Sequence, residues 1–388
     1  MDWEKRVFLM IGTILFDVDG VLLSEEHYFD ASALTVWELL ISNNYLAMAP
    51  EKYKTDYSPT EIKEIRETVF GKNDEVLKLM KSRGLNANWD MIYLSFGHQF
   101  IHLLAQIKEN EQDRINSWLQ KPINREVLLE IGGVLDNYDL SLDFNQFVPE
   151  FERSTETKQD LFNYLNQLAL EKLGVQTNIF RGISELWSVC EHVCQEWYVG
   201  DENVENSTGR PSVQLGKKGF LANETTLATK EEIDALFSYL NDSGVKIGIG
   251  TGRPELETIQ PFQHLDWLKH FDINHIVTAD DVLKAEKRLN ERRSLSKPEP
   301  FTYISGLKGR GTSAEDCLNT PLPIENGEEV LVVGDSLADL LAARKMGCQF
   351  VAVLTGLSGK DARSIFEKYE ADYILDTVLD VRGIIGKN

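Results

Sequence analysis

The sequence predicts an α/β fold, a doubly wound parallel sheet with a Rossmann-like core, into which an all-helical domain is inserted. Three observations carry this expectation. Short apolar runs of strand character occur near the start and recur only after residue 244, stretches with helix-capping signals alternate with those later runs, and the chain between shows helical spacing with almost no strand signal.

The strand runs are residues 7–16, VKIGIG (245–250), HIVTA (275–279), EVLVVG (329–334) and QFVAVL (349–354). Each is brief, apolar on both faces and bounded by Gly or Asp, as expected of parallel strands covered by helices on both sides. Among the helices, Thr229 and Glu232 form a capping box ahead of Ile233, Leu236, Phe237 and Leu240, with Gly244 just past the end. Another runs from Leu337 to Met346 and stops at Gly347. In the helical stretch, Ser58, Pro59 and Glu61 mark one helix start. Further helices are expected at 72–83, 89–106, 109–120, 158–173 and 183–199. Five of the seven tryptophans (Trp37, Trp89, Trp118, Trp187, Trp197) fall in this stretch and read as core. The expected division is 1–23 with 229–388 for the α/β core and 24–228 for the helical insertion.

Composition narrows the function. The 388 residues carry 40 Lys+Arg against 62 Asp+Glu, a net charge of −22, with 42% hydrophobic residues. That is an ordinary globular balance for two domains. So acidic a surface repels phosphate backbones and anionic headgroups, so neither nucleic acid nor a membrane surface is an expected partner, and cations or small molecules are. The cysteines Cys190, Cys194, Cys317 and Cys348 are too few and scattered for a disulfide framework, and they read as reduced thiols of a cytoplasmic protein. The apolar run Val7–Phe16 is too short to span a bilayer and reads as a buried strand.

Four motifs sit at strand ends. DVDGV (17–21) places Asp17 and Asp19 where the first strand stops, at the sheet edge where open α/β folds bind ligands. Alone, it also fits a polar or calcium-type loop. GDSLAD places Asp335 and Asp339 after a later strand; Asp339, in the first turn of the next helix, also fits a purely structural cap. If all four carboxylates converge they need a cation, because unit charges 4 Å apart repel by about 4 kcal/mol at an effective dielectric near 20. Hard oxygen ligands at an open site suit Mg²⁺. TGRP (251–254) offers the Thr251 hydroxyl and the Gly252 N–H to phosphoryl oxygens. SKPEP (296–300) offers Lys297, a residue that singly reads as a solvated charge.

With this order of motifs, the sequence resembles the haloacid dehalogenase-like (HAD) hydrolase superfamily over 7–23 and 229–388, with the helical stretch where that superfamily places a cap domain. The resemblance implies a Mg²⁺-dependent phosphohydrolase acting on a small phosphorylated metabolite. Asp17 would be the nucleophile, forming an aspartyl-phosphate, and Asp19 the acid/base, its backbone carbonyl facing the metal. Thr251, Gly252 and Lys297 would hold the phosphoryl group, and Asp335 and Asp339 the metal, with Asp335 the direct ligand. A second acid favours phosphate esters over carbon–halogen bonds, because only the ester needs its leaving oxygen protonated. Two other readings share these motifs: a phosphomutase on a sugar phosphate, and a non-catalytic binding protein of this fold. Two departures are visible. The connection from Lys297 to Asp335 is long and rich in Gly and Pro, and the insertion is large for a cap.

Weaker candidates remain. His98 with His102, and Cys190 with Cys194, lie four apart on expected helices but bring no further ligands of zinc spacing, and read as packing or solvated faces. The basic segment GRPSVQLGKKGF (209–220) reads as a solvated loop or as a source of Arg210, Lys217 or Lys218 for an anionic substrate. Residues 24–27 are expected to form the hinge.

Overall fold

The computed structural model describes residues 11–85, 87–289 and 294–385; residues 7–10 of the first expected strand lie outside the described residues. β1 (Thr13–Phe16) comes first. The helical stretch follows: α1 (Glu26–Ile41), α2 (Pro59–Phe70), α3 (Glu75–Ser82), α4 (Asn88–Trp118), α5 (Arg125–Leu135), α6 (Phe147–Phe151), α7 (Leu161–Leu173), α8 (Glu185–Val199) and α9 (Val204–Thr208). The chain then alternates: α10 (Lys230–Asp242), β2 (Lys246–Gly250), α11 (Glu255–His264), β3 (Ile276–Val277), α12 (Ala279–Leu289), α13 (Phe301–Lys308), α14 (Ala314–Leu318), β4 (Val330–Gly334), α15 (Leu337–Met346), β5 (Gln349–Val353), α16 (Arg363–Lys368) and β6 (Tyr373–Leu375).

Two compact units result. One holds the chain up to Glu25 and from Leu221 onward, and the other is Glu26–Phe220. The second division therefore falls at 220, not at 228 as expected. The reason is local: residues 22–24 pair with the returning chain, Ser24 N–H donating to Thr225 O (2.8 Å) and Leu227 N–H to Leu22 O (3.1 Å). These bonds fix residues 221–228 to the α/β unit.

In that unit the strands lie in the order β3-β2-β1-β4-β5-β6, all neighbours parallel. β1 sits centrally, with Ile14 opposite Ile247 on one side and Leu331 on the other. The chain runs outward from β1 to β3, then crosses to β4 and runs the other way. The carboxyl end of β1 is thus the switch point where such sheets bind ligands. Side-chain alternation sorts the core. Ile14 and Phe16 join Ile249, Val333 and the α10 residues Ile233, Leu236, Phe237 and Leu240 on one face. Leu15 joins Val332, Phe350, Tyr303, Leu340 and Met346 on the other.

Three expectations changed. Only Ile276–Val277 of the 275–279 run is strand, because Thr278 and Asp281 cap a helix: the Thr278 N–H donates to Asp281 Oδ2 (2.9 Å) and α12 begins at Ala279. β6 was not foreseen, being three half-buried residues. The helices expected at 89–106 and 109–120 are one, α4, whose backbone leaves helical geometry only at Glu111. The capping boxes at Ser58/Glu61 and Thr229/Glu232 are both present.

The helical unit encloses charge as well as apolar side chains. Lys217, from the basic segment, is neither solvated nor available to a substrate: its Nζ lies 2.8 Å from Glu38 Oε2 and 2.5 Å from Glu196 Oε2, all three side chains buried. Two buried carboxylates draw the amine inward because it is their counter-charge. Arg210 donates to Ser188 O (3.0 Å), and Lys218 pairs with the exposed Asp56 (2.7 Å). Of the tryptophans, Trp118 and Trp197 are buried and Trp37, Trp89 and Trp187 half-buried. Among the described residues no helix is long and apolar enough to cross a membrane.

Candidate active site

The DVDG turn is built by β1 ending against β4. Asp17 N–H still donates to Val333 O (2.9 Å), after which Leu22 N–H turns back to Val18 O (2.9 Å). Gly20 stands at φ +70°, and a side chain there would overlap the Asp335 carboxylate, as would one at Gly356. Only glycine satisfies both the backbone angle and this approach. Thr355 Oγ1 donates to Gly20 O (2.6 Å) and ties the turn to the end of β5.

Asp17, Asp335 and Asp339 converge, each with a carboxylate oxygen within 4.8 Å of the others. Lys297 is among them, its Nζ 2.7 Å from both Asp17 Oδ2 and Asp339 Oδ1 and 3.4 Å from Gly250 O. The lysine expected singly to be solvated is instead mostly enclosed, its side chain 12% exposed, with the Asp17 and Asp339 carboxylates on one amine.

The acids differ in what they already hold. Asp339, at 0% exposure, is saturated: Oδ1 accepts from Lys297 and from Tyr303 Oη (2.6 Å), and Oδ2 from Ser336 Oγ (2.5 Å). Burial pushes its pKa up, but Lys297 and the hydrogen bonds from Ser336 and Tyr303 overcome this and hold it below the usual range. It also closes the first turn of α15, its N–H donating to Ser336 Oγ (3.3 Å), so the structural and chemical readings are both realised. Asp17 has Val18 N–H on Oδ1 (2.8 Å) and Lys297 on Oδ2. Burial, opposed by Lys297, pushes it up to about 7. Among the described residues no donor reaches the Asp335 side chain, and burial with the nearby Asp339 and Asp17 drives it well above the carboxylate range. Lys297 is raised too, the two acids outweighing burial.

Asp19 is separate. Its Oδ1 lies 2.7 Å from both Nε and Nη2 of the buried Arg253, and its carboxylate is not part of the three-acid cluster. Burial raises its pKa against the pull of Arg253. Thr251, at the end of β2, is buried, its N–H donating to Val277 O (3.0 Å) and its Oγ1 accepting from Arg253 N–H (3.1 Å). Gly252 is exposed, and a side chain there would meet nothing, so sterics do not demand glycine.

Sequence reasoning missed Tyr303, Arg253 and Glu224. Arg253 was in view inside TGRP, and a buried arginine after a strand end would have been its signal. Tyr303 comes from α13, inside the connection read as a Gly/Pro-rich loop, which instead folds α13 and α14.

A second cluster lies in the helical unit. His98 and His102 both donate through Nε2 to Glu150 Oε2 (3.0 and 3.1 Å), and Lys172 Nζ takes Oε1 (2.6 Å). Gln99 is oriented by both backbone groups of Asp143, and its amide nitrogen faces His98 Nδ1 at 3.2 Å, which leaves the ring proton on Nε2. The cluster is satisfied without a metal.

Comparison with known proteins agrees with the fold. The HAD-hydrolase-like family matches residues 294–381. A crystal structure from a structural-genomics programme is 36% identical over 96% of this chain and 98% of that one, with a TM-score of 0.87. A phosphoglycolate phosphatase of Salmonella choleraesuis is 27% identical over 43% of this chain, and the pyrophosphatase PpaX of Bacillus mycoides 28% over 40%. The matched stretch spans 55% of the phosphoglycolate phosphatase and 61% of PpaX. This chain belongs to the haloacid dehalogenase-like hydrolase superfamily.

Proposed function

We propose that this chain is a Mg²⁺-dependent phosphatase of small phosphate monoesters, working through an aspartyl-phosphate on Asp17, with Glu26–Phe220 as its cap. The observation that carries this reading is the unequal state of the three clustered acids. Asp339 is saturated by protein donors, whereas Asp335 has none among the described residues and its ionised form is strongly disfavoured. Asp335 is half-buried beside two other acids, and a carboxylate so placed without a donor is costly unless a cation supplies the charge. The donor set fits Mg²⁺: hard oxygens of Asp17 and Asp335 would hold it, Asp339 lies in the same cluster, and the Asp19 backbone carbonyl would complete the set. When bound, the ion would neutralise charge on the transferring group.

In this reading an Asp17 oxygen attacks phosphorus while the ester P–O bond breaks. Asp19 delivers a proton to the departing oxygen, then takes one from the water that cleaves the acyl-phosphate, freeing inorganic phosphate and Asp17. Lys297 keeps Asp17 oriented by the 2.7 Å pair and offsets charge on the phosphoryl oxygens. The Thr251 hydroxyl and the exposed Gly252 N–H take the remaining oxygens. Relatives named for phosphoglycolate and pyrophosphate make these the first compounds to try.

The test is a panel of phosphate esters with these two compounds included, assayed for phosphate release with Mg²⁺ and with chelator. Chelator-sensitive release that Asp17→Asn abolishes is expected. Activity that survives either change would sink the proposal, and transfer between positions of a sugar phosphate with little free phosphate would favour a mutase.

A further inference from the structure

Arg253 is a fully enclosed guanidinium, 1% exposed, whose two ends meet different acids. Nε and Nη2 converge on Asp19 Oδ1, both at 2.7 Å. Nη1 lies 2.7 Å from Glu224 Oε1 and 3.2 Å from the Glu257 carbonyl oxygen. Because the guanidinium is a rigid planar fork, fixing one edge fixes the direction of the other. Glu224 belongs to the segment that re-enters the α/β unit after Phe220, the same segment whose Thr225 and Leu227 bond to residues 22–24.

The arrangement separates two acids only two positions apart in the chain. Asp17 is held by Lys297 and joins the three-acid cluster, whereas Asp19 is held by Arg253 and does not. Without the guanidinium, the Asp19 carboxylate would have the same opposite charge to seek as its neighbours. We propose that Arg253 is the positioning residue of Asp19, and that Glu224 sets the position of Arg253. This rests on the reading of Asp19 as the group that protonates the leaving oxygen. The Arg253 N–H also donates to Thr251 Oγ1 (3.1 Å), so one residue locates both the acid and the hydroxyl offered to the phosphoryl group.

The chemistry supplies a readout that a merely structural role would not move. In the first step the Asp17–phosphorus bond forms, the ester P–O bond breaks and the Asp19 proton passes to the departing oxygen. An alkyl alkoxide needs that proton and a p-nitrophenolate does not. Displacing Asp19 therefore damages alkyl phosphates selectively.

The experiment compares Arg253→Met, Arg253→Lys, Glu224→Gln and Asp19→Asn with the unaltered protein. Each is assayed on glycerol phosphate and on p-nitrophenyl phosphate, and crystal structures of Arg253→Met and Glu224→Gln are determined. Arg253→Met is expected to lose about 10²-fold in kcat on the alkyl ester but less than about 10-fold on the aryl ester, as Asp19→Asn does, with KM little changed. Arg253→Lys should recover part of the loss, Glu224→Gln should fall between, and the Asp19 side chain should leave its place in both crystals. Equal losses on both esters in Arg253→Met, or an unmoved Asp19 in its crystal, would overturn the proposal. An inactive unaltered protein, or an active Asp17→Asn, would instead sink the phosphatase reading, and the position of Asp19 in the crystals would then decide the proposal by itself.

Discussion

The two units bury carboxylates in opposite ways. In the helical unit Glu196 receives Lys217 Nζ, Ser212 Oγ and Val213 N–H, and Glu150 receives two imidazoles and an amine. Burial acts against both, but these donors hold Glu196 down at about 2 and Glu150 well below the ordinary range. In the α/β unit Asp17 and Asp339 share Lys297 while Asp335 beside them has no donor among the described residues; Asp17 rises to about 7, and Asp335 is driven well above the carboxylate range. A closed network stabilises the fold, and an open one keeps a charge deficit that a ligand can fill.

The strongest way to break this contrast is Asp17→Asn, which should lower phosphate release by ~10⁴ or more, as loss of a nucleophile does, while leaving the fold's circular dichroism unchanged. Next is Lys217→Met, which strands Glu38 and Glu196 without their cation and should cost about 3–5 kcal/mol in urea denaturation. Asp335→Asn should do the reverse: remove an uncompensated charge, stabilise the metal-free protein by on the order of 1 kcal/mol, and abolish the rise in Tm that the proposal expects when Mg²⁺ is added to the unaltered chain.

pH separates the units further. Asp17 binds its proton more tightly folded than unfolded, so the metal-free α/β unit loses stability as pH rises from about 4 through 7. Glu196 is depressed, so its contribution is complete above about 4.5 and lost as pH falls through about 2. Hydrogen exchange read separately for each unit should show these opposite trends; parallel trends would remove the contrast. The smallest effect is Tyr303→Phe, which removes one of three donors to Asp339 and should cost about 1 kcal/mol and a few-fold in kcat.

Much of this was legible in the chain, for identifiable reasons. Strands covered on both faces leave apolar runs, and Ser58, Thr229 and Gly347 advertise helix ends, so β1, β2, β4, β5, α2, α10 and α15 could be placed. The convergence of Asp17, Asp335 and Asp339 followed from motifs at the ends of β1 and β4, but Asp19, expected with them, stands apart on Arg253, and Lys297 comes from the connection between α12 and α13 and not from a strand end. What could not be read was partnership across long separations. Nothing local says that Lys217 seeks Glu38, that Arg253 divides its donors between Asp19 and Glu224, or that Tyr303 reaches Asp339. The 221–228 boundary was missed for the same reason, since its tie to residues 22–24 is two hydrogen bonds between distant segments.

The position of β1 has a consequence for how the chain reaches this state. It is the central strand, yet residues 17–245 separate it from β2 and residues 17–329 from β4, the two neighbours it pairs with. Closing an unstructured loop of that length costs roughly 5 kcal/mol in chain entropy. The helical unit is contiguous and can fold first, and its folding brings its own ends together: His27 stacks on Phe220 with ring centroids 4.6 Å apart, and Phe220 N–H donates to Tyr198 O (2.8 Å). It then serves as the splint on which the sheet is assembled, shortening the effective loop between β1 and β2 to residues 17–25 and 221–245. Lesions deep in the helical unit, such as loss of Lys217, should therefore slow formation of the sheet from the other side of the chain.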